Sequence, residues 1–358
     1  MLINHFTRKQ IILTLTAVIS LLLYTALALG AYSIKASLDD QLAASRWDES
    51  GGFAQVSSFF ADNEDVDFNR IMTIRQSITN SLRQSSYLSE NENARSYIDT
   101  FSSIGTVTVV SSRATLNTRA IGVSGDFFHF HPLELVSGRY FSGTEINRDS
   151  IIIDEEAAWQ LFGSSDIAGK EVFINNIPHY VSGVIKRESG RLWEAAGLDS
   201  GFLYMSLESL ELNGESSGVN SYEIVMPNPV SGYAYRAVTE AIGSSDDGVM
   251  IIENTARYGW RQLMAVLADT GLRSMQSYAI RFPYWENYAR GIEDILSFMK
   301  ILEILFLSVT IVIVVVWLFL LYIRREWTWG SIFIWLFEQI RQAFAFIRKR
   351  KKEEKDEA

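Results

Sequence analysis

Two stretches of the chain carry no charge, and between them the spacing of apolar positions changes repeatedly. The first runs from Gln10 to Ile34, with the apolar part IILTLTAVISLLLYTALALGA, and the second from Ile304 to Ile323, ILFLSVTIVIVVVWLFLLYI. Each supplies at least 20 residues, enough helix to cross the ~30 Å hydrocarbon core of a bilayer. Both are predicted to be transmembrane helices. Ala26-Leu27-Ala28 has the small-x-small form of a signal-peptidase site, which leaves a cleaved signal as the alternative for the first. Its apolar run exceeds the ~7–15 residues of a signal core, which favours an uncleaved anchor.

Between the spans, strand and helix periods alternate. Phe53–Phe60 reads as a strand, and Asp67–Arg83 as a helix with Ile71, Ile74, Ile78 and Leu82 on one stripe. Ile104–Val110 is β-branched and predicts a strand. From Arg119 to Lys186 short strands are punctuated by glycines, with a helix over Asp154–Phe162 that opens on an acidic turn. Ser221–Met226, Ser231–Ile242 and Val249–Ile252 then repeat the order strand, helix, strand. These are read as two α/β halves of one subdomain with a β-rich block inserted. Pro283 suits the first turn of a long helix that nothing after Gly291 interrupts, so a stiff stalk into the second span is expected. Ser33–Ala44 is expected to extend the first span outward in the same way.

Charge sets the topology. The chain of 358 residues has net charge −10, which argues against nucleic acid as a partner, and no cysteine for disulfides or zinc–thiolate sites. Arg8 and Lys9 precede the first span and Arg324 and Arg325 follow the second, while residues 10–323 hold a net −15. By the positive-inside rule both termini are cytoplasmic and the acidic region between the spans is outside. Trp327–Ile347 is a third apolar stretch, with Trp329, Phe333, Phe337 and Phe344 on one face and Glu338, Arg341 and Arg348 on the other. Spanning would put charges in lipid at ~2.5–3.5 kcal/mol each, so an interfacial helix beside the basic Arg348–Lys352 cluster is expected, in contact with membrane lipids.

Candidate chemistry is sparse. Gly163 to Lys170 resembles a phosphate-binding loop, but five residues separate its glycines and Glu171 stands where a magnesium-binding hydroxyl belongs. His129 and His131 would share a face on a strand, with Asp126 and Glu134 nearby, yet no third metal ligand is evident and turn histidines are the simpler reading. GxSxG and HExxH are both absent. Neither a catalytic residue nor a cofactor is expected.

The stretch Ile121–Val184 carries a resemblance. Gly122-Val123, Asp126-Phe127-Phe128, Leu135-x-x-Gly138-Arg139-x-Phe141, Leu161-Phe162-Gly163, Ile167-Ala168-Gly169-Lys170 and Val181-Ser182-Gly183-Val184 follow one another in order. Together they resemble the MacB-type periplasmic core domain of the FtsX/MacB/LolC superfamily of ABC transporter permeases. The resemblance implies an α+β fold with two transmembrane helices flanking an extracytoplasmic mixed α/β domain, built of porter-like βαβ halves and a β-rich insert. It implies a non-catalytic subunit in a bacterial inner membrane that passes ATP-driven movement from a cytoplasmic ABC ATPase to the outside, as a homodimer or beside a four-span permease. Superfamily permeases usually carry four spans and a coupling segment with a Glu-Ile-Gly…Ala-Leu-Gly-Ala pattern, whereas here 35 residues without it follow the second span.

The expected organisation is therefore residues 1–34 for the N-terminus and first span, 35–298 for the core domain with its insert at about 111–215, 299–323 for the second span, and 324–358 for a cytoplasmic tail. Docking of the ATPase or another partner is expected at Arg324, Arg325, Glu326, Trp329, Phe333, Phe337 and Arg341. The alternative is a membrane-anchored scaffold or sensor that binds peptide, lipid or cell-wall components. An exterior hydrolase is the third reading.

Overall fold

The computed structural model of the chain describes residues 8–87, 95–142, 148–216, 218–243, 248–269 and 280–323. It divides into two compact units, one of residues 1–28 with 302–358 and the other of Leu29–Ile301.

The two uncharged runs are helical. They belong to α1 (Arg8–Ala36) and to the last helix, α10 (Tyr284–Ile323), of 29 and 40 residues, each long and apolar enough to cross a membrane. Most of their apolar side chains are exposed, as lipid-facing positions would be. Ser20 donates its hydroxyl to the Phe306 carbonyl at 2.7 Å, joining the two helices through a polar contact.

The larger unit begins with a departure from expectation. Helix α1 stops at Ala36 and does not run on to Ala44. Leu38 turns inward and is buried, the chain makes a short 3-10 turn at Asp39–Gln41, and α2 (Ala43–Trp47) starts in a new direction. Gln55 fixes that turn by donating to the Asp40 carbonyl at 2.7 Å and accepting from the Ala43 amide at 3.0 Å. A tertiary contact thus overrides local helix propensity.

Four strands form the first layer: β1 (Phe53–Phe60), β2 (Ile98–Val110), β10 (Ser221–Pro227) and β11 (Val249–Glu253), in the order β11-β1-β10-β2 with every neighbouring pair antiparallel. Helix α3 (Phe68–Gln84) connects β1 to β2, and α8 (Tyr233–Ile242) connects β10 to β11. The two βαβ halves therefore interleave, each lending a strand to the middle of the other. Asp67 caps α3 by accepting from the Arg70 amide at 2.8 Å. Ile71, Ile74, Ile78 and Leu82, the stripe read from the sequence, are fully buried against Val56, Tyr222, Ile224 and α8.

The inserted block is a closed barrel. Between β2 and β10 lie β3 (Thr115–Gly125), α4 (Phe127–Phe130), β4 (Glu134–Gly138), β5 (Ser150–Asp154), α5 (Glu155–Phe162), β6 (Glu171–Ile174), β7 (Ile177–Lys186), α6 (Arg191–Ala195), β8 (Phe202–Ser206), α7 (Leu207–Asn213) and β9 (Glu215–Ser216). Hydrogen bonding runs β2-β3-β8-β5-β7-β6 and returns to β2, which pairs with β6 through Val109–Ile174 and Val110–Phe173. Closure removes the exposed edges such a sheet would otherwise present. Val107, Val109, Ile151, Ile153, Val172, Val181 and Leu203 fill the interior. Strand β2 starts six residues earlier than its β-branched run, because Ile98–Val225 and the following pairs bind it to β10. One strand thus belongs to both layers.

The first turns of α10 pack into the face of the β1–β10–β2 layer that α3 and α8 leave open, and onto the outside of the barrel through Tyr284 and Trp285. Gly291 lets α6 close in, since a Cβ there would lie 2.8 Å from the Leu192 side chain. Short helix α9 (Trp260–Ala268) covers the same stalk, with Leu263 buried among Ala31, Leu38, Ile292 and Leu296.

Replacing Ile74, which has no exposed surface, by Ala should destabilise the domain by ~2–5 kcal/mol. Denaturant unfolding of the full chain in detergent checks this against Asn80→Ala on the same helix, which should be near neutral.

Candidate functional site

The open face of the four-stranded layer is polar where apolar residues would be expected. Gln55 and Ser57 of β1, Ser221 and Glu223 of β10, and Thr100 and Ser102 of β2 are all buried there. Ser102 and Ser221 bond each other at 2.6 Å, and Ser57 accepts from Asn254 at 2.6 Å. This surface receives α10, whose Trp285 donates to Glu223 of β10 at 3.1 Å, and a buried arginine just past the end of β11 takes the charges of the helix.

Arg257 follows the turn after β11 and is buried with its partners. Its guanidinium grips Glu286 in a bidentate pair, 2.7 Å for each bond, and donates its Nε to Glu293 Oε1 at 2.7 Å. Side-chain exposure is 1% for Arg257 and Glu286 and 8% for Glu293, so these ions are almost wholly out of water. A third contact reaches Gln41 Oε1 at 3.3 Å. Burial alone would lower the Arg257 guanidinium, but Glu286 and then Glu293 raise it well above its usual value. Seven residues apart, the two glutamates lie on one side of α10, beside the stripe of Trp285, Ala289, Ile292 and Leu296. The last turn of α1 is tied to the same place, with Lys35 Nζ donating to the Tyr258 carbonyl at 3.1 Å.

His131 forms a second charged centre one layer away. It ends α4, buried between Phe127 and Trp285, whose rings lie 4.7 and 4.3 Å from its own. Nδ1 lies 2.8 Å from Asp40 Oδ1, and Nε2 lies 3.2 Å from Glu223 Oε2 in a charge contact without hydrogen-bond alignment. The other Glu223 oxygen accepts from Trp285 Nε1 at 3.1 Å. Burial works against the imidazolium, but Glu223 and Asp40 outweigh it and raise His131 to about 9. It is therefore charged at neutral pH. The 3-10 turn, β10, α4 and α10 all meet at this one ring.

This arrangement holds elements together and presents no nucleophile or acid–base pair to solvent. His129 and His131 do not share a strand face, since Phe127–Phe130 is a helical turn. His129 contacts the Ala43 carbonyl at 3.3 Å instead. Among the described residues no three His, Cys, Asp or Glu side chains converge as a metal-binding group. The glycine-rich stretch is a structural turn, in which Gly163 ends α5 with φ 75°. Its amides are engaged, Gly169 with the Val181 carbonyl at 2.7 Å and Lys170 with that of Ile167 at 3.0 Å, so they do not form a phosphate cradle. Arg324, Arg325, Glu326, Trp329, Phe333, Phe337 and Arg341 lie outside the described residues.

The family model of the MacB-like periplasmic core domain matches residues 11–256, more than half of the chain. The chain belongs to this family. It is a MacB-like periplasmic core domain protein of the FtsX/MacB/LolC superfamily, an ABC-transporter-associated permease-like domain of a kind that is generally non-enzymatic. The macrolide export ATP-binding/permease protein MacB of Pasteurella multocida (strain Pm70) is 34% identical over 74 residues, 20% of this chain and 11% of that relative. MacB 2 of Aeromonas hydrophila subsp. hydrophila is 32% identical over 72 residues. The chain thus spans only 11% of the length of each of these curated relatives. The crystal structure of the periplasmic region of MacB from Actinobacillus actinomycetemcomitans aligns with TM-score 0.41 and 18% identity, over 61% of this chain and 94% of that one. The extracellular domain of the noncanonic ABC-type transporter YknZ from Gram-positive bacteria aligns with TM-score 0.34 and 14% identity, over 55% and 99%. Two apolar helices and a periplasmic-type domain fit an inner-membrane protein.

Removing Arg257 leaves two buried carboxylates without their cation. Arg257→Met should cost about 3–5 kcal/mol in unfolding free energy, and adding Glu286→Leu should recover part of it; denaturant titration of the full chain reads both.

The raised value of His131 gives a second expectation. Its stabilising effect is complete below its unfolded value of 6.5 and is lost as pH rises through about 9. Unfolding midpoints measured from pH 6 to pH 10 should fall across that window in the parent chain and fall less in His131→Gln.

Proposed function

We propose that the chain is the non-catalytic membrane subunit of an ABC-type transporter or mechanotransmission complex, coupling a cytoplasmic ATPase to the extracytoplasmic domain. One observation carries this reading: α10 is unbroken from Tyr284 to Ile323, and its first turns are held by buried ion pairs to Arg257, in the turn that follows β11. A helix stiff over 40 residues and anchored by charges at one end passes on displacement that a flexible linker would absorb. The β-rich barrel shares strand β2 with the layer that receives α10, so movement of the stalk reaches both parts of the domain.

In this reading residues 1–34 and 299–323 supply the membrane part, 35–298 the core domain with an insert at about 111–215, and 324–358 a tail on the cytoplasmic side with both termini. The tail's face of Trp329, Phe333 and Phe337, with Arg324, Arg325, Glu326 and Arg341, docks the ATPase, a four-span permease or a second copy of the chain. The family assignment supports an ATPase as the partner class.

Deletion of 324–358 tests the coupling role. The truncated chain should still reach the membrane and fold but should no longer retain an ATPase through crosslinking and purification in mild detergent. Recovery of the same ATPase with both forms would rule out the tail as its docking element; recovery with neither would favour a membrane-anchored scaffold.

A further inference from the structure

The charged side chains in the middle of α10 lie on the wrong side for a helix in water. Glu293 and Glu303 are buried, Glu303 with 4% of its surface exposed, and Lys300 is half-buried. The outward positions over the same turns are Ile295, Phe298 and Ile301, and Phe298 leaves 60% of its surface open. The stripe runs on through Ile304 and Leu305, the start of the uncharged run, without a polar break. Helix α1 does the same. Leu29 and Tyr32 are exposed, Tyr32 at 72%, while Lys35 folds back onto the Tyr258 carbonyl. The two helices pack together through Ala31, Ile292 and Leu296, so these open apolar residues lie on their outward faces.

Depth along each helix follows from the bond between Ser20 and the Phe306 carbonyl. Twelve residues separate Ser20 from the basic flank at Arg8, and twelve more reach Tyr32. Each step is about 18 Å at the rise of an α-helix. On α10, eleven residues back from Phe306 reach Ile295, about 17 Å. A bilayer is ~30 Å thick across its hydrocarbon and ~40–45 Å with its headgroups. Tyr32 and Ile295 therefore fall where acyl chains give way to headgroups. Asp294, the next residue up α10, is the first exposed charge met from Ile323 among the described residues.

We propose that Leu29, Tyr32, Ile295, Phe298 and Ile301 form a lipid-contact belt, immersed in the bilayer leaflet next to the core domain, so that lipid reaches nine residues beyond the uncharged run of α10. A charge at bilayer depth costs least when it faces protein instead of acyl chains, and aromatic rings collect at the interface. Glu303 turned inward and Tyr32 turned outward meet both conditions. A second copy of the chain would cover one flank of the helix pair, whereas a leaflet covers the outward faces of both. Glu293, two residues before Ile295, is an ion-pair partner of Arg257, so the fastened turns of α10 stand directly on the membrane surface. The belt rests on the two spans and is independent of the coupling role.

The chain has no cysteine, so single replacements can carry a nitroxide label for spin-resonance measurements. Leu29→Cys, Tyr32→Cys and Phe298→Cys, all at exposed positions, are labelled in the full chain held in nanodiscs of phosphatidylethanolamine and phosphatidylglycerol. Collision of each label with oxygen, which concentrates in lipid, is compared with collision with a water-soluble nickel chelate. Leu22→Cys in the first span and Asn80→Cys on α3, both exposed, supply the lipid and water references. At 29 and 298 oxygen should collide several-fold more often than nickel, as at 22, and the ratio at 32 should fall between the two references. Nickel collisions dominating at 29 and 298, as at 80, would place these residues in water and overturn the proposal. Low collision with both reagents at 29 and 298 would also overturn it, since protein and not lipid would then cover the belt.

Discussion

A guanidinium with 1% of its side chain exposed cannot be left half-paired, and the placement of Arg257 constrains much of the domain around it. Water is not available to replace either glutamate, so the turn after β11 and the first turns of α10 must stay in register for the charges to remain compensated. Such a cluster adds little net stability compared with an apolar one, because desolvation offsets most of the attraction. What it provides is a unique geometry: a helix sliding by one residue on an apolar face loses some packing, whereas here it would separate buried ions. His131 repeats the device with Asp40 and Glu223, and Trp285 joins the two centres by donating to Glu223.

The topology explains why this arrangement is needed. Two interleaved βαβ halves cover one face of their sheet with α3 and α8 and leave the other open. An ordinary solution would fill that face with apolar residues, yet Gln55, Ser57, Ser102, Ser221 and Glu223 stand there, met by Trp285 and by the turn at Asp39–Gln41. The barrel closes through β2, a strand of the same layer, so the two parts have no flexible hinge at that shared strand. For a family of transporter-associated domains, a stalk helix joined to a sheet through directional contacts is a physically coherent way to carry movement.

Local patterns in the sequence anticipated local structure well. The 3-and-4 spacing of Ile71, Ile74, Ile78 and Leu82 gave α3 and its buried face, Pro283 marked the start of α10, and the uncharged runs gave its apolar part and that of α1. What escaped was set by distant partners. Barrel closure depends on Val109 meeting Ile174 across 65 residues, and the early start of β2 depends on β10, more than 100 residues downstream. The end of α1 at Ala36 depends on Gln55 holding the next turn. The buried charges escaped because Arg257 lies in an unremarkable loop. A trace did exist: Glu286 and Glu293 are seven apart beside an apolar stripe, which places two acids at the edge of a buried helix face. His131 was seen only as one of a histidine pair, and its real partners, Asp40 and Glu223, are 91 and 92 residues away on either side.

The central claim is that buried charges fasten the first turns of α10 to the sheet. Amide hydrogen exchange over residues 284–297 of the full chain in nanodiscs, compared between the parent and Glu286→Gln, addresses it most directly. The account predicts that in the parent these amides exchange as slowly as those of β1 and β10, and that in the variant they exchange faster while β1 and β10 remain protected. Unchanged protection of 284–297 in a variant that keeps its fold would contradict it, because the helix would then be held by packing alone.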